Sequence, residues 1–516
     1  MKNAVNREIP DELLVDGREV FQGSNYKDNT RYTKVAPSVK MRTAHIDSKV
    51  LPTIRDAIKA VGFKDGMTVS FHHHFRNGDY VVNMVMKEIV EMGFKDITIA
   101  CSSLSSSHDL IADYIEDGTV IGLQTSGIRG KVGEAVSHGK LKTPAILRSH
   151  GGRVRAIEQG EVHIDVAFIG APTADCLGNS SGKGGKSDCG VLAYADADAR
   201  YADNVVIITD TLVDYPNMPA SISQTDVDYV VVVDEIGNPK KIASEAARFS
   251  KDPRDLLMAE HCAKVMEATP YFKDGFSFQT GAGGPSLAVN RFLEPLLIKY
   301  GIKMSWICGG ISAPSVDLLN KGLAECIVDT QDFDTVAVDS VHNNPKHFEI
   351  STSEYASPSN RSAFVNKLDY VILAALEIDT DFNVNVITGS DGVLRGAPGG
   401  HPDTAAGAKC CIVVTPLIRG RMATVCENVV TVTTPGECVD VLVTDYGIAV
   451  NPKRQDLLEA LQKTKLPLKT VEELKDIAYS IVGTPDPLPF KERVVAIMEA
   501  RDGTVLDVVR EIDAIK

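Results

Sequence analysis

The stretch from Phe272 to Ser286, FKDGFSFQTGAGGPS, decides the fold, because it predicts a β-strand, a glycine turn and then the start of a helix. Gly281, Gly283 and Gly284 have no side chains, so their backbone N–H groups can approach a ligand closely. The helix expected from Pro285 or Ser286 directs its positive end at the same place. Such a turn suits an anion or a developing oxyanion, and a tight connection without a ligand is the alternative.

The glycine-rich segments of the chain match neither of two common nucleotide-binding motifs. A dinucleotide fingerprint needs glycine at the third position of GxGxxG, where this chain has Ser286. The segment LGNSSGKGGKSDCG, residues 177 to 190, has Ser180 where a phosphate-binding P-loop needs glycine. Neither NAD nor ATP is therefore expected, and this segment is predicted to be a loop that either closes over a ligand or is simply exposed.

A repeat indicates the architecture. FKDGMTVSF at residues 63 to 71 recurs as FKDGFSF at residues 272 to 278, and each is followed by a turn, a helix of similar length, a glycine and another strand. Such a duplication predicts an α/β fold of two related open α/β domains with a shared inter-domain cleft at the carboxyl ends of their strands. The expected divisions are an N-terminal arm at 1–45, a first domain at 46–240, and a second domain at 241–516 whose C-terminal part is helical.

Composition narrows the functional classes. The 516 residues are too many for one hydrophobic core, and the net charge of -15 argues against general nucleic-acid binding. The ten cysteines include no CxxC pair, so neither a zinc module nor a disulfide framework is expected. No apolar run is long enough to span a bilayer, and the first residues do not have the layout of a signal peptide, which predicts a cytoplasmic location.

The run FHHHFRNGD, residues 71 to 79, holds the first candidate site residues. Alternation along a strand puts at most His72 and His74 on one face, and no third ligand is evident, so no metal site is predicted there. We expect His72, His74, Arg76 and Asn77 to hydrogen-bond or attract a substrate carboxylate. The alternative is a polar surface turn.

Two segments of the second half add candidates. The apolar run KLDYVILAALEID, residues 367 to 379, contains Glu377 close to its end, and a buried glutamate is costly unless it is paired. Glu377 is therefore a functional candidate, with a structural hydrogen bond as an equal alternative. The turn GSDGVLRGAPGGHPD, residues 389 to 403, offers the bare amides of Gly399 and Gly400.

Taken in order, FQTGAGGPSLAV, ALEID and GAPGGHPD resemble the coenzyme A-transferase and acyl-CoA hydrolase superfamily, in which two α/β domains hold an acyl thioester between them. Together with FHHHFRNGD, GNSSGKGGKSDCG, TTPGECVDVLVTDYGIAVNP and DGTVLDVVR, the whole chain is similar to the family of bacterial citrate lyase alpha subunits.

That resemblance implies a citrate CoA-transferase, which exchanges acetyl for citryl on an acyl carrier protein and releases acetate. It implies an acyl carrier (gamma) subunit whose prosthetic group resembles dephospho-CoA, a citryl-lyase (beta) subunit, one oligomeric cytoplasmic complex, and no cofactor bound tightly to this chain. The alternatives are an acyl-CoA hydrolase or CoA-transferase that uses free CoA thioesters, and a non-catalytic scaffold that docks the carrier. The residues expected to form the oxyanion hole are Gly283, Gly284, Gly399 and Gly400, and those expected to bind the thioester or carrier are Gly281, Gly283, Gly284, Ser286 and Gly396.

The chain departs from the superfamily at its nucleophile. Relatives with a covalent route carry a glutamate ahead of a V-D-L-I helix, whereas SWICGGISAPSVDLLNKG, residues 305 to 322, has Gly309 and Gly310 there. We therefore predict direct transfer through a mixed anhydride, with citrate in the space left at these glycines and Glu377 as the remaining carboxylate. Carrier docking is expected at the basic run KTPAILRSHGGRVR, residues 142 to 155, or at Lys183 and Lys186.

Overall fold

The computed structural model describes residues 1–15, 17–24, 33–41, 44–242, 250–281 and 283–513. The first half alternates strands and helices, as the βαβ pattern predicts. Its elements are β1 (Val50–Leu51), α1 (Ile54–Ala60), β2 (Thr68–Phe71), α2 (Val81–Glu91), β3 (Ile97–Cys101), α3 (Leu110–Glu116), β4 (Val120–Thr125), α4 (Gly130–Ser137), β5 (Ala145–Leu147), α5 (His150–Glu158), β6 (Val166–Gly170), β7 (Thr173–Ala174), β8 (Ser180–Ser181), α6 (Asp196–Tyr201), β9 (Asn204–Thr209), β10 (Tyr229–Val232) and α7 (Pro239–Ile242).

The second half repeats this alternation and then adds short strands, two helices and a final strand pair. Its elements are α8 (Pro253–Ala268), β11 (Ser277–Thr280), α9 (Gly284–Tyr300), β12 (Trp306–Ile311), α10 (Ala313–Asn320), β13 (Ile327–Asp332), α11 (Thr335–Asn343), β14 (His347–Glu349), α12 (Thr352–Ala356), β15 (Tyr370–Ala374), β16 (Glu377–Asp379), β17 (Val384–Asn385), α13 (His401–Gly407), β18 (Cys410–Val414), β19 (Ile418–Arg419), β20 (Met422–Ala423), β21 (Val425–Cys426), β22 (Val441–Val443), β23 (Ile448–Val450), α14 (Gln455–Gln462), α15 (Val471–Val482), β24 (Val494–Glu499) and β25 (Val505–Arg510).

Two large sheets share one strand order. The first runs β1-β10-β9-β6-β2-β3-β4-β5-β24-β25, and the second runs β14-β13-β12-β11-β15-β18-β22-β23. In each sheet the strand after FKDG is central, the next three large-sheet strands along the chain lie on one side of it, and the following three lie on the other. The strands of these cores pair in parallel, so their carboxyl ends lie along one edge of each sheet. The predicted α/β fold with two related sheets is thus confirmed.

The C-terminus differs from the prediction of a helical end to the second domain. Helices α14 and α15 form, but β24 pairs in parallel with β5, and β25 pairs with β24, so both strands extend the first sheet. They cover backbone groups that β5 would otherwise expose at a sheet edge, which explains why the chain returns to the first half. The boundary near residue 240 stays a prediction.

The beginning of the N-terminal arm, in residues 1–24 as far as they are described, packs on these last strands. Ile9 and Val20 form a small buried cluster with Ile497 and Val505. The Asn3 side-chain amide donates to the backbone oxygens of Val505 and Leu506. In the described part of the chain, no helix has the length and apolar character that crossing a membrane requires.

Candidate active site

A cavity of about 680 Å³ lies where the carboxyl ends of the two sheets face each other. Most of its wall comes from loops that follow β2, β3, β4 and β5 in the first half and β11, β13, β15 and β17 in the second, and Arg419 of β19 also contributes. The position is the one that the duplicated α/β pattern predicts. The residues that line it are His73, Arg76, Asn77, Ser103, Ser105, Arg129, His150, Tyr194, Gln279, Thr280, Gly281, Gly283, Gly310, Thr330, Gln331, Phe333, Tyr355, Leu373, Ala374, Ala375, Leu376, Val386, Ala397, Pro398, Gly399, Gly400, His401 and Arg419.

Arg76 supplies a half-buried positive charge to this cavity. Its backbone has φ of 52°, a left-handed conformation that is strained for arginine and is typical of functional sites. The guanidinium carbon lies 4.2 Å from the centroid of the Phe333 ring, which it covers. Burial, and then the charge of Arg129, lower the pKa of Arg76 to about 10, so the side chain is still protonated at neutral pH. No carboxylate of the described residues forms an ion pair with it, so a ligand can take that place.

Arg129 and Arg419 add positive charge on two other sides. Arg129 follows β4 at the exposed rim, and the atoms packed around its guanidinium lower its pKa. Arg419, at the end of β19, donates to the Ala375 backbone oxygen, and burial lowers its pKa as well. Because a guanidinium binds a carboxylate through two parallel hydrogen bonds, these groups suit a small ligand with more than one carboxylate.

The histidine run faces the cavity through His73, and the expectation for His72 and His74 is wrong. These two share a face, as alternation predicts, but that face is buried. Nε2 of His72 lies 3.3 Å from Asp198 Oδ2, and Nε2 of His74 bonds to the backbone oxygen of Gly170 at 2.8 Å. Alternation along a strand fixes which residues share a side and not which side faces the core. Of the predicted carboxylate-binding side chains, Arg76 and Asn77 line the cavity.

An aromatic wall that sequence reasoning missed lies beside His73. The His73 and His150 rings stack with centroids 5.5 Å apart, and Tyr194 contacts both, at 4.5 and 4.7 Å. Burial lowers the pKa of His150 to about 3 and that of His73 well below its usual value, so both rings are neutral at pH 7. The sequence held one indication that His150 lies in the cavity, since His150 follows the end of a strand just as His73 does.

The two glycine turns meet in the cavity. Gly281 and Gly283 lie at its edge before α9, and Gly399 and Gly400 lie there before α13. The amide of Gly281 is already used, since it donates to the Ile372 backbone oxygen at 2.7 Å. Three other residues expected at the thioester are outside the lining: Gly284 faces Ser250, Ser286 is fully buried in α9, and Gly396 packs on the Val386 backbone oxygen.

Gly310 lines the cavity, but the space that side chains at Gly309 and Gly310 would take, which is predicted to hold citrate, is filled by protein atoms. Gly309 has φ of 96° at a bulge between β12 and β13, and an added Cβ would lie 2.5 Å from Gln279 Nε2. The Gln279 amide donates to the Tyr355 hydroxyl at 2.8 Å and accepts from Cys308 Sγ. A Cβ at Gly310 would overlap the Phe333 ring. The nucleophile position of the superfamily is therefore occupied by a glutamine and an aromatic ring.

Glu377 lies outside the lining of the cavity. Its Oε2 accepts hydrogen bonds from Asn385 Nδ2 at 2.9 Å and from the backbone N–H of Val430 at 3.0 Å. These bonds support the structural alternative for this carboxylate. Among the described residues that line the cavity, none is Asp, Glu or Cys.

The predicted docking run at 142–155 is largely interior. Arg148 is 3% exposed and donates to Glu499 at 2.5 Å, and Arg153 is 4% exposed and binds both carboxylate oxygens of Asp198. These partners lie far away in sequence, which is why the run resembled a surface patch. The two arginines cannot dock a carrier, and docking at Lys183 and Lys186 stays a prediction.

Comparison with known proteins shows the family to which the chain belongs. The family model described as "Citrate lyase, alpha subunit (CitF)" matches residues 47–512. The citrate lyase alpha chain of Haemophilus influenzae is 52% identical over 487 residues, which cover 94% of this chain and 97% of that one. That of Klebsiella pneumoniae is 51% identical over 480 residues, covering 93% and 94%.

Solved structures agree. An alpha subunit of citrate lyase from Streptococcus mutans, in complex with citrate, superposes with a TM-score of 0.96 at 51% identity and covers 99% of this chain and 100% of that one. A malonate decarboxylase alpha subunit from Acinetobacter baumannii shares the fold, with a TM-score of 0.63 at 16% identity over 85% and 84% of the two chains. With the family model spanning residues 47–512 and half of all residues shared with curated members, the chain belongs to the citrate lyase alpha-subunit family.

Proposed function

We propose that the chain is a citrate CoA-transferase, which converts an acetyl thioester and citrate into a citryl thioester and acetate. Family membership supports the activity, and one observation supports its placement: the inter-domain cavity carries arginines without a carboxylate partner among the described residues, opposite two glycine turns. Its positive charge suits a tricarboxylate, and its glycines suit an acyl group that passes through an oxyanion.

In this proposal Arg76 and Arg129 bind two carboxylates of citrate, and Asn77 donates a further hydrogen bond. The cation already held against Phe333 loses little freedom when it binds, because the ring fixes its position before citrate arrives. The neutral rings of His73 and His150 form a wall beside the substrate. The relative from Streptococcus mutans, solved with citrate, supports the choice of substrate.

The acyl group is proposed to lie against Gly283 and Gly400. Both residues precede a helix, so the amides around them lie at the positive end of a helix dipole. The backbone N–H groups stabilise the negative oxygen of each tetrahedral intermediate. Gly281 contributes shape rather than a hydrogen bond, because its amide is already used in the sheet.

Transfer is proposed to be direct, since no carboxylate or thiol occurs among the described lining residues. A citrate carboxylate oxygen attacks the acetyl carbonyl and the thioester bond breaks. The products of this step are a free thiolate and a mixed citryl–acetyl anhydride. The same thiolate then attacks the citryl carbonyl, and acetate leaves with the bridging oxygen. Both acids must be bound together for this sequence, and the protein contributes positioning and oxyanion stabilisation.

The thioester is proposed to arrive on an acyl carrier (gamma) subunit with a dephospho-CoA-like group, and the citryl product to pass to a lyase (beta) subunit in one cytoplasmic complex. The alternatives remain free CoA thioesters and a scaffold without activity. An exchange assay separates them: the purified chain is given labelled citrate with acetyl-carrier or with acetyl-CoA. We expect labelled citryl-carrier to form faster from acetyl-carrier than labelled citryl-CoA forms from acetyl-CoA. Equal or faster reaction with acetyl-CoA would contradict the carrier, and no exchange with either would contradict the enzyme.

A further inference from the structure

Three buried ligand-type side chains meet outside the active cavity, at β13 and β14. They are Asp329, Asp332 and His347, and one ligand atom of each lies within 4.8 Å of the others. Nε2 of His347 lies 3.0 Å from Asp329 Oδ2, while its Nδ1 lies 2.9 Å from Ser340 Oγ. A hydrogen bond at the second nitrogen fixes the orientation of the ring, as it does for metal-bound histidines, although the partner here is a serine hydroxyl.

Asp332 is the member that lacks a partner. It is 1% exposed, and neither of its carboxylate oxygens accepts a hydrogen bond from a donor of the described residues. Two carboxyl groups in contact away from water are costly unless a cation or a proton lies between them.

The segment at 177–190 covers the Asp–Asp–His cluster. Its strand β8 pairs with β7, and Ser180, Ser181 and Ser187 are buried, so this segment is packed rather than exposed. At Gly190 a Cβ would overlap Asp332 Oδ2, so the backbone of the first half lies directly on the carboxylate of the second. The Asp–Asp–His cluster therefore joins the two halves.

We propose that Asp329, Asp332 and His347 bind one divalent first-row cation, with Zn²⁺ or Mn²⁺ as the ions that suit two carboxylate oxygens and one imidazole nitrogen. The ion neutralises the paired carboxylates and fixes the ends of β13 and β14 under Gly190. Thr330 and Gln331, between the two aspartates, line the active cavity, and Gln331 Nε2 donates to the His73 backbone oxygen at 3.2 Å. The role of the ion is structural, since it holds one wall of the cavity.

The experiment uses the full chain as expressed. Bound metal is measured by mass spectrometry after gel filtration, and thermal unfolding is followed after chelation, with and without added ZnCl₂ or MnCl₂. We expect about one equivalent of metal per chain and a midpoint that rises by a few degrees when one of the ions is returned. Asp332→Asn and His347→Gln should each abolish the rise. Asp339→Asn, an exposed change of the same kind on α11, should keep it.

Two results would overturn the proposal. One is a wild-type chain that neither retains metal nor gains stability from either ion; if the metal-free Asp332→Asn chain is then more stable than wild type, Asp329 and Asp332 share a proton instead. The other is an equal rise in a folded Asp332→Asn chain, which would place the ion elsewhere. If Asp332→Asn does not fold, His347→Gln and the wild-type measurements decide.

Discussion

Replacing Arg76 by glutamine tests the proposal that this residue binds citrate in the cavity. The variant removes a half-buried cation that forms no ion pair with a carboxylate of the described residues, so no buried anion is left unpaired. We therefore expect a folded protein whose thermal midpoint in the absence of citrate equals or exceeds that of wild type. This separates Arg76 from Arg148 and Arg153, whose removal would leave a buried carboxylate behind.

The expected loss falls on citrate binding. A hydrogen bond to a charged group contributes about 1.5–3 kcal/mol net, and about 1.4 kcal/mol corresponds to a factor of ten, so the citrate Kd should rise roughly 10- to 150-fold. Calorimetric titration measures the Kd, and the exchange assay measures KM and kcat. Arg395→Gln is the matched control, because Arg395 is exposed, pairs with Asp391 and lies outside the cavity lining. An unchanged citrate Kd in a folded Arg76→Gln chain would refute the assignment.

Three further predictions follow from the same contacts. Gly283→Val should lower kcat by a factor on the order of 100 or more with the fold intact, because the side chain displaces the acyl oxygen from the amides; wild-type turnover would remove Gly283 from the oxyanion hole. Arg153→Met should destabilise the chain by about 3–5 kcal/mol in urea unfolding, because Asp198 stays buried without its guanidinium, and a loss below about 1 kcal/mol would contradict this. Burial lowers the pKa of His150 to about 3 and the pKa values of His74 and His401 to about 4, so below about pH 6.5 the unfolded chain binds protons that the folded chain does not. The free energy of unfolding should therefore fall as the pH is lowered from 6.5 to 4, and it should fall less steeply in His150→Gln. Equal slopes in the variant and in wild type would contradict this.

Most of the fold can be predicted from the sequence, because the patterns that indicate it lie within short stretches of the chain. The FKDG repeat marks the central strand of each sheet, and glycines between a strand and a helix mark the turns that meet in the cavity. Since parallel strands bring their carboxyl ends to one edge, the repeat predicts the position of the cavity.

The misplaced residues depend on contacts between distant parts of the chain. Arg148 and Arg153 formed a basic run in the sequence, but Glu499 and Asp198 neutralise them inside the protein. The gap left by the missing glutamate is filled by Gln279, which no spacing rule connects with Gly309. The same holds for β24 and β25, whose pairing with β5 joins residues far apart in the sequence.

Oxygen tracing in a single turnover tests direct transfer most directly. Unlabelled protein is mixed in excess with acetyl-carrier and citrate whose carboxylates carry ¹⁸O, and the acetate released is analysed by mass spectrometry. If citrate attacks the acetyl group itself, the bridging oxygen leaves with acetate, so the acetate of the first turnover carries one ¹⁸O. If an enzyme carboxylate attacks first, that acetate takes its oxygen from the protein. Unlabelled acetate, with ¹⁸O recovered on a glutamate or aspartate of the chain, would contradict the account.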